Sequence, residues 1–576
     1  MELGIYAVIA VAVIVAVAAF SKKLGVAAPI ILVVVGVGLS YLPGVPDIEV
    51  PHEIILDGVL PPILYAAAIS VPITDFRRNV GSIASLSVVL VIVTAFAAGF
   101  LLFSLLPDLN LAAAIALGAV ISPPDAVAAT SIGRRLGLPP RLLTVLEGEG
   151  LLNDATALVL LRSAVAAAAV GGLTTPWAGV VDFVYAVVVA VAIGLVAGYV
   201  TVFVRSKLSD PVLDTALSIA VPFVAFAPAE ALGASGVMAV VVAGLYTGHA
   251  APTKFSAQAR ISDRINWRTI QFLLENGVFL LIGLEIRTLV DHVDPTVLSA
   301  GDAILIGLLA TAALIVIRFL WIGPMVYALG KREERTEKRT YYALLALYYY
   351  RSHPVSTVRQ ARTRDRLERD YERRRADLEQ QRQEHIDWRG GIVLGWSGMR
   401  GVVTLAAAQS LPENTPYRPQ LILIAFTVAV VSIVVQGGTL PWLIRLLNVQ
   451  GIDAQEDRRE LASLLEDISN VGLQTLDEME ADAATTAPID PDVIERVRRA
   501  SFLSTEAAWE RAHVVRKPGE MPHQRYREVR LAVVDAERER LLELRAQGVY
   551  SSRVLAEAQA MLDLEETRLS RQGGDH

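Results

Sequence analysis

Cysteine is absent from this 576-residue chain, which removes disulfides, thiolate chemistry and cysteine-held zinc or iron–sulfur centres together. Charge is sparse: only 19% of residues are Asp, Glu, Lys or Arg, and the net charge of −7 offers nothing to nucleic acid. No GxxxxGK(S/T) loop exists for nucleotide and no HExxH for zinc, and the eight histidines fall mostly in predicted loops or ends. Primary pumping and metalloprotease activity are therefore disfavoured, and neither an enzyme nor a bound cofactor is expected. What is plentiful is apolar sequence. At 53% hydrophobic residues and a mean hydropathy of +0.47, the chain reads as a polytopic membrane protein.

Apolar runs of spanning length, roughly 17–25 residues each, recur to about residue 446. About thirteen are expected, near 3–20, 25–43, 54–72, 81–106, 110–131, 142–170, 177–204, 211–229, 233–250, 269–287, 302–329, 391–411 and 418–446. Ala16-Val17-Ala18 could pass for a signal-peptide cleavage site. However, Glu2 precedes the first run and Lys22-Lys23 follow it, which predicts an uncleaved helix starting outside. Later loops alternate accordingly: Arg77-Arg78, Arg134-Arg135-Arg141, Arg205-Lys207 and Lys254-Arg260-Arg264-Arg268 on the inner side, Asp47, Asp108, Glu230, Asp291 and Asp294 on the outer. The prediction is a plasma-membrane protein with its N-terminus outside and its C-terminus cytoplasmic.

Two segments fall outside these spans. Residues 331–389, inserted between the eleventh and twelfth spans, begin with TYYALLALYYYR, which suits an interfacial helix. The insertion continues as RTRDRLERDYERRRADLEQQRQEH, either a solvated, ion-paired helix or a docking surface for anionic lipid or a partner. Residues 451–576 show helical spacing at Leu461, Leu464, Leu465, Ile468 and Val471 and again at Val554, Leu555, Ala558, Met561 and Leu562. That pattern predicts a cytoplasmic helical tail with room for a regulatory partner.

Inside the membrane, EGEGLLNDATALVLL (147–161) places acids where charge is costly, so Asp154 is the leading candidate for binding a proton or a metal cation. Helix breakers stand beside polar groups in ISPPDAVAAT (121–130) and GWSGMRGVVTL (395–405), so both spans are expected to unwind near their middles. The alternative is that Pro and Gly are simply common in membrane helices. Unwound backbone survives at that depth only around a protected or aqueous cavity, and one interrupted helix in each half is the pattern of a transporter with inverted repeats.

GEGLLNDA, SPPDAVAA, ENGVFLLIGLEI, VIRFLWIG and GMRGVVTLAAA follow one another as in the monovalent cation/proton antiporter family, and the chain resembles its NhaP-type, sodium/proton exchanger branch in bacterial form over residues 3–446. The resemblance implies an all-α fold of about 13 transmembrane helices with inverted repeats and two unwound crossing helices, plus cytoplasmic helical segments. An antiporter domain would occupy 1–446, in a homodimer whose six-helix core moves against a dimerisation domain. Asp154 matches the carboxylate that alternately takes cation and proton, and Asn153 the amide of the electroneutral branch. Together with Asp125 and Pro123 they form the implied Na+ and proton site, with Glu275 and Ser122 as accessory candidates.

Two positions depart from the family pattern. This chain writes Pro-Pro-Asp where relatives usually have Asp-Pro, and Gly150 replaces a common Ser, so water would take the place of one hydroxyl ligand. Arg400 matches the basic residue beside the second break, where it would balance converging helix ends. Glu149 is read as half of an ion bridge rather than a ligand, because a buried charge needs a partner. Arg318 is the family match for that partner, while Arg162 and Arg400 compete on chemistry alone. The function implied is electroneutral, alternating-access exchange of a monovalent cation, Na+ first, for H+, serving pH and sodium homeostasis. K+/H+ exchange, anion uptake and a transporter-like sensor signalling through the tail are the rivals.

Overall fold

A computed structural model describes residues 2–24, 27–43, 50–169, 176–208, 210–352, 386–449, 454–486, 490–499 and 522–547, with scattered positions within 362–378 and 558–569. The described residues contain helices and no strand, as a chain must when lipid leaves backbone groups no partners but each other. Residues 1–451 form one compact unit and residues 452–576 another.

The first unit begins with α1 (Glu2–Leu24), α2 (Ala28–Ser40) and α3 (Leu60–Ser70), the last entered through a wide π turn at Ile54–Val59. A long span follows as α4 (Ile73–Ala84), a π turn (Ser85–Leu90) and α5 (Val91–Leu105). Then come α6 (Leu111–Ile121), α7 (Ala126–Arg135), α8 (Pro140–Ala169), α9 (Pro176–Arg205), α10 (Pro211–Ala231), α11 (Gly236–Lys254), α12 (Ala257–Asp291) and α13 (Ala300–Ser352). The set closes with α14 (Trp388–Trp396), α15 (Val402–Gln409), α16 (Arg418–Ser432), a π turn (Ile433–Gly437) and α17 (Gly438–Leu447). Every span read from the sequence is thus a helix or an interrupted pair. Among the described residues nine helices are long and apolar enough to cross a membrane, with Ala28–Ser40 and Ile54–Ser70 as shorter apolar helices.

Helix starts follow local chemistry. Asn110 accepts from the Ala113 N–H at 2.7 Å, Asp210 from Val212 at 2.8 Å and Asp387 from Gly390 at 2.9 Å, each satisfying a donor that the first turn leaves free. Apolar residues then sort the helices into three large packed groups. One joins α5, α6, α8, α13, α15 and α16 through an alanine-rich core, a second joins α1, α2, α7, α12, α14 and α17 through residues such as Leu32, Phe279 and Leu394, and a third joins α3, α9, α10 and α11 around Tyr65 and Trp267. Where helices come closest, glycine is required by space: a Cβ on Gly36 would stand 2.9 Å from Gly283 Cα, so α2 and α12 meet backbone to backbone.

Outside the spans, the helix expected at TYYALLALYYYR is not a separate one. It continues α13, which runs for 53 residues to Ser352 with no Gly or Pro after Gly330 to break it. Tyr341, Tyr342, Tyr348 and Tyr349 are exposed along it. In the second unit, α18 (Ala454–Thr486) leaves Leu461, Leu464, Ile468 and Val471 exposed and buries Ala462 instead. Arg498 there pairs with Asp477 at 2.7 Å. Helix α19 (Pro522–Gln547) carries Arg530, which pairs with Glu565 at 2.7 Å. Half of the charged run 362–385, and Val554 and Leu555 of the 554–562 pattern, lie outside the described residues.

Candidate functional site

Both breaks occur where the sequence places them, at 122–125 between α6 and α7 and at 397–401 between α14 and α15. They abut directly: the Asp125 N–H donates to the Met399 carbonyl at 2.5 Å. Four helix ends therefore converge, two exposing carbonyls and two exposing N–H groups. Arg400, 2% exposed, serves the carbonyl ends, donating from Nε to Ile121 O at 3.1 Å and from a terminal nitrogen to Gly398 O. Asp125 serves the N–H ends. Its Oδ1 caps α7 by accepting from Val127 at 2.7 Å, and its carboxylate abuts Gly401 at the start of α15 so tightly that no Cβ fits there. A cation on the C-termini and an anion on the N-termini complement both sets of dipoles. Ser432 fixes the arrangement by accepting the Arg400 N–H at 2.8 Å.

Glu149 and Arg318 form a second closed unit. Both are almost fully buried, at 1% and 2% exposure, and meet bidentately at 2.5 and 2.8 Å. The guanidinium also donates to Leu394 O at 3.1 and 3.2 Å, tying α8 and α13 to the end of α14. The two competitors for Glu149 are occupied elsewhere: Arg400 by the carbonyls above, and Arg162 by Glu230 at a half-exposed position.

Asp154 differs from all of these. Half-buried one turn and a half beyond Glu149, its carboxylate has no hydrogen-bond or ion-pair partner among the described residues. It lines a cavity of about 380 Å³ together with Asp125, Pro123, Gly150, Glu275 and Thr404. Arg134, Glu147 and Arg268 line the same cavity, the first two joined at 2.5 Å, all at the end of the bundle whose loops are rich in basic residues. Glu275 accepts from Gln271 Nε2 at 2.7 Å. At Gly150 a Cβ would approach that of Ala126 to 2.6 Å, so the missing hydroxyl reflects close packing of α7 on α8.

Two expected site residues are not brought to the cavity. Asn153, fully buried, donates to Pro124 O and accepts the Asp154 N–H at 2.7 Å, so it braces the first break. Ser122 donates to Val91 O at 2.9 Å and contacts Thr94, facing α5. Pro123, Asp125, Asp154 and Glu275 do meet there.

Sequence reasoning missed two polar clusters. Arg205 holds Asp214 at 2.7 and 2.8 Å and Asp263 at 2.5 Å in a buried knot of α9, α10 and α12, with Ser218 and Trp267 completing it. Two acids, Asp214 and Asp263, near the starts of α10 and α12 within otherwise basic connections were the available signal. Glu285 on α12, 3% exposed, accepts from Gln409 of α15 at 3.1 Å and from the Val50 N–H at 3.2 Å.

The model of the family described as sodium/hydrogen exchanger, transmembrane, matches residues 9–446. An uncharacterised Na+/H+ exchanger of Mycobacterium tuberculosis is 29% identical over 94% of this chain and 91% of its own length. A Na+/H+ antiporter of Aphanothece halophytica is 26% identical over 76% and 72% respectively. Among solved structures, the sodium proton antiporter of Methanocaldococcus jannaschii superposes with a TM-score of 0.55 at 16% identity, covering 78% of this chain and all of that one, which shows the fold. With its broken, charge-balanced crossing and its match across all the spans, the chain belongs to the sodium/hydrogen exchanger family of transmembrane cation/proton antiporters.

Proposed function

We propose that this protein exchanges Na+ for H+, one for one, by alternating access, with Asp154 as the group for which the two ions compete. The observation that carries this reading is the contrast in charge balance. Glu149 and Arg318 neutralise one another, and Arg400 and Asp125 are held by the helix ends, whereas the Asp154 carboxylate faces the cavity with no partner among the described residues. A carboxylate in that setting is stable when it holds a proton or a cation and costly when bare. On the proton-poor side it releases H+ and takes Na+ through oxygen ligands, with Asp125, Pro123 and Thr404 lining the same cavity and water completing the shell. After the core shifts, protonation displaces the ion. An anion carrier would not centre its site on carboxylates.

The cavity reaches the basic end of the bundle, and the Glu285–Gln409 contact joins α12 to α15. We assign the basic end to the cytoplasm and the working form to a homodimer in the plasma membrane. Inward proton gradients would then drive Na+ out, serving sodium and pH homeostasis, and the separate helical unit at 452–576 supplies a place for a regulatory partner. Na+ is put first because relatives such as that of Aphanothece halophytica are named Na+/H+ antiporters; another, from Bacillus subtilis and 27% identical, is a sodium, potassium, lithium and rubidium/H+ antiporter. The test is purified protein in liposomes with an imposed pH gradient, scanned against Na+, K+ and Li+. Dissipation by Na+ at the lowest concentration supports the assignment, and dissipation by K+ alone replaces it.

A further inference from the structure

A second hollow lies away from the ion site, between α4 with its π turn and the part of α13 around Trp321. Its volume is about 310 Å³, and Gly81, Ser82 and Ser85 face Trp321, Pro324 and Ala328 across it. Two backbone irregularities widen it. The π turn begins at Ser85, and Pro324 lacks the N–H that would close a helical bond to the Leu320 carbonyl, leaving an acceptor on the groove wall. Trp321 Nε1 donates to Ser85 Oγ at 3.1 Å and holds the indole across the floor. A mostly apolar slot with a few acceptors, on helices that face lipid, suits a hydrocarbon chain ending in a glycerol ester.

Helical periodicity puts positive charge at one end of this slot. Arg77 precedes Gly81 by four residues and Arg78 precedes Ser82 by four, so both share the groove face of α4. On α13, Lys331 and Arg335 follow Ala328 by three and seven residues, again on the groove face. All four side chains are exposed. Arg78 lies 3.9 Å from Asp75, Lys331 sits over the Tyr327 ring at 4.7 Å, and Arg77 makes no ion pair among the described residues. Helix α4 starts and the membrane part of α13 ends on the side with basic loops, so these cations stand at headgroup depth in one leaflet.

We propose that the groove is a binding site for one anionic diacyl phospholipid, an acyl chain lying along Trp321, Pro324 and Ala328 and the headgroup phosphate engaged by Arg77, Arg78 and Lys331. The site needs only the membrane setting and is independent of the exchange chemistry. The test titrates the full-length protein in neutral detergent with phosphatidylglycerol or phosphatidylcholine of identical chains, reading thermal unfolding and lipid retention by native mass spectrometry. Phosphatidylglycerol raises the melting temperature above that reached with phosphatidylcholine. The double change Arg77→Gln with Lys331→Gln weakens its apparent affinity about thirtyfold, whereas Lys254→Gln with Arg264→Gln leaves it unchanged. Ala328→Phe fills the slot and lowers retention of both lipids; should that variant fail to fold, the charge pair decides. Inorganic phosphate and a deacylated headgroup have no effect. Equal stabilisation by the two lipids, full affinity in the Arg77/Lys331 variant, or the same shift from phosphate alone would each overturn the assignment.

Discussion

Glu149 and Asp154 stand on one helix, both acids in a membrane span, and their surroundings are opposites. Glu149 is enclosed and bidentately paired to Arg318, while Asp154 opens onto a cavity with no partner among the described residues. The difference separates two uses of buried charge. A paired charge fixes helices relative to one another and is silent towards ions; an unpaired one draws an ion in because the bare state is unfavourable. The five-residue offset makes this possible, since it turns the two side chains to different faces of α8.

The sharpest way to break the comparison is to neutralise each acid. Asp154→Asn keeps shape but cannot cycle a proton, so cation-dependent collapse of a pH gradient in liposomes should fall at least about a hundredfold, to background. Its melting temperature should stay level or rise, because an unpaired carboxylate is relieved of desolvation. Exchange close to wild type in this variant would remove the central assignment.

Glu149→Gln and Arg318→Gln should behave in the reverse sense. Each strands a buried charge and should cost about 3–5 kcal/mol, seen as a lowered melting temperature, while the double variant should lose distinctly less than the sum. Additive losses would mean that the pair is not an energetic unit despite its geometry.

How much of this was legible beforehand depends on the range of the interaction. The span positions, both breaks and Asp154 could be read because hydropathy, Pro and Gly and an acid in apolar sequence are local signals. The Glu149–Arg318 pairing spans 169 positions and came through family resemblance, with chemistry alone leaving Arg162 and Arg400 open. Asn153 and Ser122 carry suitable oxygens, yet both are consumed by neighbouring backbone, which depends on rotamers that no spacing encodes. The Arg205–Asp263 and Glu285–Gln409 bonds join residues 58 and 124 positions apart through single side chains, so no periodicity announces them.

A smaller effect tests whether Asp125 belongs with the fixed charges or the mobile ion. A Cβ at Gly401 would lie 2.6 Å from Asp125 Cγ, so Gly401→Ala must push the carboxylate off the start of α15. Exchange should drop about tenfold, the scale of one misplaced polar group in a preorganised site. Gly323→Ala, where the added methyl meets nothing within 4 Å, is the matching control and should transport normally. Equal rates in the two variants would place Asp125 outside the ion's path.

The smallest expected effect is none. If Glu149 stays neutralised by Arg318, and Arg400 and Asp125 stay with their helix ends, then Asp154 is the one carboxylate of the crossing that changes occupancy, and it crosses with either H+ or Na+. The loaded core then carries the same charge in both directions, and membrane potential performs no work on the cycle. Clamping the potential with valinomycin and K+ at values of either sign should therefore leave the equilibrium of Na+/H+ exchange unmoved. Glu275 is the residue that would spoil this result. It faces the same cavity with Gln271 as its hydrogen-bond donor, and a second proton travelling there would make the cycle carry net charge. A potential-dependent end point that disappears in Glu275→Gln would transfer Glu275 from the cavity wall to the transported set and make the stoichiometry two for one.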